Sequence, residues 1–120
     1  MDNNTLIILL AVVLVGFGLA RRIRSGSRIP SQAELRRLIS EGARLVDVRS
    51  PEEFSAGHHP RALNIPLEQV TARADEFRGD AVVILYCASG NRSGQAIAAL
   101  SRHGLTGLVN GGGFHNLPAD

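Results

Sequence analysis

The chain has no lysine and no tryptophan, and only one tyrosine, one methionine and one cysteine among its 120 residues. A single cysteine excludes an internal disulfide and any multi-cysteine metal centre. With lysine absent, all 13 basic residues are arginines, and four of them crowd between Arg21 and Arg28. The other nine stand against ten acidic residues from Glu34 onward, so the net charge of +2 belongs to one short segment and the rest is near neutral. Without a basic stripe, and with four phenylalanines besides the tyrosine, the composition offers no nucleic-acid face, and no nucleic-acid partner is expected.

Charge is also missing from residues 6–20, where eleven of fifteen residues are Leu, Ile, Val or Phe. With Thr5 the run gives a helix of about 24 Å, short against a hydrocarbon core of about 30 Å. Insertion still gains on the order of 3–6 kcal/mol. A cleaved signal peptide needs a basic start, and Met1-Asp2-Asn3-Asn4-Thr5 has none. The arginines follow the run instead, which by the positive-inside rule puts the C-terminal side in the cytoplasm. The expected layout is a transmembrane anchor at 1–21, a basic tether at 22–30 and a folded domain at 31–120. This would be a single-pass inner (cytoplasmic) membrane protein with its domain facing the cytoplasm.

Within the domain, Ser31-Gln32-Ala33-Glu34 reads as a capping box opening a helix to about Ser40, with Leu35, Leu38 and Ile39 on one face. Leu45 to Val48 reads as a strand. Ser50-Pro51-Glu52-Glu53 is a second capping box, opening a brief helix that Gly57 stops. Ala62 to Ile65 reads as a strand, Leu67 to Phe77 as a helix, 81–86 as a buried strand, Ser93 to His103 as a helix and Leu108-Val109 as a last strand. Alternating strands and helices imply a parallel sheet covered on both faces.

The lone thiol stands where that pattern matters most. Cys87 ends the apolar run Ala81-Val82-Val83-Ile84-Leu85-Tyr86 and opens Cys87-Ala88-Ser89-Gly90-Asn91-Arg92-Ser93. A strand, a short glycine-bearing loop and a helix N-terminus cradle anions, through inward N–H groups and the helix dipole. Arg92 adds a full positive charge. A thiol there ionises readily, and the thiolate is the nucleophile. The five N–H groups from Ala88 to Arg92 are candidates to bind an anionic sulfur, and Gly90 permits a positive φ. Ser89 and Asn91 either line the mouth or are simply solvated. Asp47 ends a strand with no second carboxylate to pair with. Arg49 either reaches the pocket rim or pairs with Glu53. His59, His103 and His115 read as surface residues.

These segments resemble the rhodanese family. Leu45-Val46-Asp47-Val48-Arg49-Ser50-Pro51-Glu52-Glu53-Phe54 is similar to its first signature, and Gly57 to Leu67 to its second. Cys87-x-x-Gly90-x-Arg92-Ser93 is similar to the catalytic loop, and Val109-Asn110-x-Gly112-Gly113 to the closing segment. His59 and Arg61 stand where the family usually has Ile and Gly, and Phe114 and Leu117 where it usually has a Trp. The usual last helix is expected to be stunted or absent. The anchor is similar to that of the small membrane-tethered single-domain bacterial members.

The resemblance implies a rhodanese-like parallel sheet with helices on both faces, and a sulfurtransferase working through a Cys87 persulfide. Sulfane sulfur would come from thiosulfate or a persulfide donor and pass to cyanide, a thiol or a protein acceptor, with no metal or organic cofactor. Cys87 and Arg92 would carry the chemistry. Ala88, Ser89, Gly90, Asn91 and Arg49 would bind substrate, with Asp47 and His58 structural near the site. Two other classes compete. A cysteine phosphatase or arsenate reductase needs five residues between Cys and Arg, and four stand here. A non-catalytic interaction module at the membrane has no need of an intact Cys87 and Arg92.

Overall fold

The computed structural model describes residues 28–119. The apolar run, the anchor at 1–21 and most of the tether lie outside the described residues. Among the described residues, no helix is long and apolar enough to cross a membrane.

Helix α1 (Gln32–Ser40) starts at Ser31, whose hydroxyl accepts the N–H of Glu34. Strand β1 (Arg44–Asp47) follows, then the short helix α2 (Pro51–Ala56). At the start of α2 the full reciprocal box forms: Ser50 accepts from Glu53 N while the Glu53 carboxylate accepts from Ser50 N. Strand β2 (Ala62–Asn64), β3 (Val83–Cys87), α3 (Asn91–Arg102) and β4 (Leu108–Gly113) complete the regular elements. The strands pair in the order β2-β1-β3-β4, all in parallel.

Both faces are covered, as alternating strands and helices require. Val46, Val83, Leu85 and Cys87 point to the face closed by Ala96, Ile97 and Leu100 of α3, together with Val70 and Phe77. Leu45, Ile84 and Tyr86 point to the other face, closed by Leu35 and Ile39 of α1. Side chains of successive strand residues alternate sides, so β3 sends Tyr86 one way and Cys87 the other.

Two expected elements differ. Residues 67–77 form no α-helix but two 3-10 turns, Leu67–Gln69 and Ala74–Phe77. The core-facing residues fall in pairs three apart, 67 with 70 and 74 with 77. That is the 3-10 repeat, and the bonds Val70 N to Leu67 O and Ala74 N to Thr71 O follow it. The last strand is also longer than Leu108-Val109, running through the glycines to Gly113. A bulge at Leu85/Tyr86 passes over Gly111, so that Leu85 faces Asn110 and Tyr86 faces Gly112. Beyond it, among the described residues, only the 3-10 turn Phe114–Asn116 forms in place of a last helix.

Candidate active site

Cys87 is the last residue of the central strand β3, and it is completely buried. The chain turns through Ala88 and Ser89, both exposed, into Gly90, which caps α3 in the left-handed conformation at φ 97°. A side chain at Gly90 would be strained at this φ, and its β-carbon would press on Ile29 Cδ1 at 3.1 Å and Gly112 Cα at 3.2 Å. The turn aims its donors back at the sulfur. Gly90 N–H donates to Cys87 Sγ at 3.0 Å and Ser93 N–H at 3.5 Å, and the Ser93 hydroxyl oxygen lies 3.5 Å from Sγ. Of the five N–H groups from Ala88 to Arg92, that of Gly90 donates to Sγ itself, and Ser93 adds one from just beyond that range. Burial alone would push the Cys87 thiol up, but hydrogen bonds from Ser93, Ser89 and Gly90 outweigh it and bring the thiol below its ordinary value.

The loop is held from below by β4. Asn110, buried, donates from Nδ2 to Gly90 O at 2.9 Å. Its Oδ1 accepts from the Ser93 hydroxyl at 2.7 Å and from Gly112 N–H at 2.9 Å. The glycines beside it are there for room: a β-carbon on Gly113 would sit 2.6 Å from Ala88 O, and one on Gly111 2.7 Å from Ile84 Cγ2. Sequence reasoning gave Asn110 no role. The available signal was a lone polar residue in a strand followed by glycines, which marks close approach by another backbone.

Arg92 is half-buried at the first turn of α3. A cation at a helix N-terminus opposes the helix dipole, and here Glu53 of α2 offsets it. Nη1 and Nη2 donate to the two Glu53 oxygens at 2.7 and 3.0 Å. Arg92 and the bonds from Ser50 pull the Glu53 carboxyl down to about 2.

Glu53 being so engaged, Arg49 pairs elsewhere. It is buried and lies over the Phe114 ring at 4.6 Å. Its Nη2 donates to Asp47 Oδ2 and to Gly57 O, both at 2.7 Å. Asp47, fully buried, also accepts Arg49 N–H at 2.8 Å. The expected alternative of an Arg49–Glu53 pair does not form, since Glu53 pairs with Arg92. His58 stacks on Phe54 at 3.6 Å, and its Nδ1 donates to the Phe54 carbonyl at 2.7 Å.

His59, expected at the surface, is buried. Its Nε2 donates to Pro118 O and its Nδ1 accepts from Arg61 N–H, each at 3.1 Å, while its own backbone N–H donates to the Tyr86 hydroxyl. An imidazole with a polar partner at each ring nitrogen can be buried where a surface position was expected. His103 and His115 are exposed.

Residues 31–117 match the family model described as the rhodanese-like domain. The chain is 48% identical over 73 residues to an uncharacterized protein, YqhL, of Bacillus subtilis, across 60% of this chain and 58% of that protein. It is 40% identical over 75 residues to the thiosulfate sulfurtransferase PspE of Escherichia coli, across 60% of this chain and 71% of that one. Among solved structures, a rhodanese with anions from E. coli superposes with a TM-score of 0.59 at 37% identity, covering 64% of this chain and 95% of its own. A match over most of the described residues, on a fold these relatives share, places this chain in the rhodanese-like domain family.

Proposed function

We propose that this protein is a sulfurtransferase that carries a sulfane sulfur on Cys87. The donor is thiosulfate or a persulfide, and the acceptor is cyanide in vitro and a thiol or protein thiol in the cell. The observation that carries this reading is the aim of the Gly90 and Ser93 N–H groups at a buried, acidified Sγ on a helix N-terminus. A relative named as a thiosulfate sulfurtransferase supports the choice of donor.

The Cys87 thiolate attacks the outer sulfur of thiosulfate. The new S–S bond forms as the old one breaks, and sulfite departs with the bonding pair. The persulfide's terminal sulfur carries the negative charge, which the loop N–H groups and the α3 dipole stabilise. An acceptor thiolate or cyanide then attacks that terminal sulfur, and Cys87 leaves as a thiolate. Arg92 draws the anionic donor toward the loop, with Glu53 tempering its charge and fixing its position. The exposed Ala88, Ser89 and Asn91 form the rim, and Gly90 the floor. Residues 1–21 anchor the enzyme in the inner membrane with the domain on the cytoplasmic side, a reading supported by the uncharged apolar run and the four arginines after it.

The test is mass spectrometry after thiosulfate treatment and desalting. One added sulfur is expected on the Cys87 peptide, removed by cyanide. Cys87→Ser is expected to take up none and to transfer none, because a hydroxyl is a far weaker nucleophile at neutral pH. A folded wild-type protein that never gains the sulfur would overturn the proposal.

A further inference from the structure

We propose that Asn110 is a positioning residue for Cys87: it clamps the Gly90 turn and the start of α3 to β4, so that their N–H groups stay aimed at Sγ. It never touches the sulfur. Its two ends grip two different donors' supports. Nδ2 holds the carbonyl of Gly90, whose own N–H reaches Sγ at 3.0 Å. Oδ1 holds the hydroxyl of Ser93, whose N–H also faces Sγ. The third bond, from Gly112 N–H to Oδ1, fixes the amide to its own strand past the bulge, so the grip has a rigid base. The Gly90 carbonyl also accepts the first helical bond of α3, from Gly94 N–H at 3.1 Å, so Asn110 adds a second, cross-element tie to a group the helix already holds. An apolar residue of similar size would fill the space but leave the Gly112 N–H buried without its Asn110 partner and the turn tied to the sheet by one bond fewer, a loss large enough to shift the turn.

The clamp rests on the sulfur-carrier reading only for its purpose, since thiol ionisation is measurable with no sulfur donor present. The charges around Cys87 are already balanced without Asn110. Arg92 acts on Cys87 from α3 and is paired with Glu53 of α2. Asp47 at the end of β1 is paired with Arg49. Tyr86 faces the opposite side of the sheet, and its hydroxyl is pushed well above the ordinary range by burial. Asn110 is the only polar side chain that β4 presents. A change at Asn110 therefore acts through the donors rather than through a charge.

The experiment is an ultraviolet titration of the thiolate, which in a chain with one cysteine reports Cys87 alone. Asn110→Ala is expected to raise the midpoint by about one pH unit, a tenfold loss of thiolate below it, the scale of a lost hydrogen bond to an ionised group. Transfer from thiosulfate should fall by about the same factor at neutral pH and recover as the pH is raised past the new midpoint. Asn110→Ser, smaller but still polar, serves if the alanine variant fails to fold. Leu108→Ala, a core change at the far end of β4, is the control for general loosening and should leave the midpoint where it is. An unchanged or lowered midpoint in a folded Asn110 variant overturns the clamp, as does an equal rise in Leu108→Ala. A raised midpoint in a protein that takes no sulfur would keep the clamp and sink the sulfurtransferase reading instead.

Discussion

Glu53 serves two partners at once, and that double duty has a pH signature. Its carboxylate closes the α2 capping box and pairs with Arg92 on α3, so its proton affinity drops from 4.5 to about 2 on folding. A depressed carboxyl adds stability above its unfolded value and loses it as the pH falls through the folded one. The tie between α2 and α3 is therefore fully present above about pH 4.5 and lost progressively toward pH 2. Glu53→Gln is expected to flatten that part of the acid-stability curve, measured by thermal melting between these pH values. A variant curve parallel to the wild type would leave the pair without energetic weight. Side chains of this kind are only partly legible in a sequence. Cys87 could be placed because the strand, loop and helix around it each leave a local pattern. Asn110 and His59 could not, because their partners lie 20 and 59 residues away and come together only through the fold.

At the level of elements, the segment before α1 is less separate from the domain than its composition suggests. Ile29 falls within the stretch read as a tether, yet its side chain lies over Gly90 and Gly112, on the outside of the cysteine loop. About half of it is exposed, at 47%, so its packing contributes roughly 1 kcal/mol. A chain beginning at Arg24 keeps this contact and is expected to be as active on thiosulfate as the full chain in detergent. A chain beginning at Ser31 lacks it and should melt earlier and transfer sulfur several-fold more slowly. Equal rates for the two would mean that Ile29 does not brace the loop. The strands, α1, α2 and α3 were legible because caps and apolar periodicity are local. The 67–77 segment was not, since apolar residues three apart serve a 3-10 turn as well as an α-helix. The glycine run of β4 reads as a strand's end because glycine weakens strands in general. Here the space beside Ala88 and Ile84 demands it.

For the molecule as a whole, the charge asymmetry around the apolar run gives a definite expectation. The protein should sediment with membranes, and a membrane-impermeant thiol reagent should fail to label Cys87 in intact cells but succeed after permeabilisation and unfolding. Labelling without permeabilisation would reverse the orientation. The sheet carries a further consequence, for how the chain comes to life. Every strand pairing is parallel, and β3 lies between β1 and β4. No two strands can therefore zip together through a tight hairpin, and each contact must wait for a long crossover to close. The tie from Asn110 to the Gly90 carbonyl forms only when β4 docks. A chain still emerging from the ribosome can hold β1, β2 and β3 and yet have no aligned sulfur cradle. On the proposed Asn110 clamp, the donors facing the thiol are fixed in the same event that closes the sheet, so the alignment of the cysteine loop is a property of the finished fold.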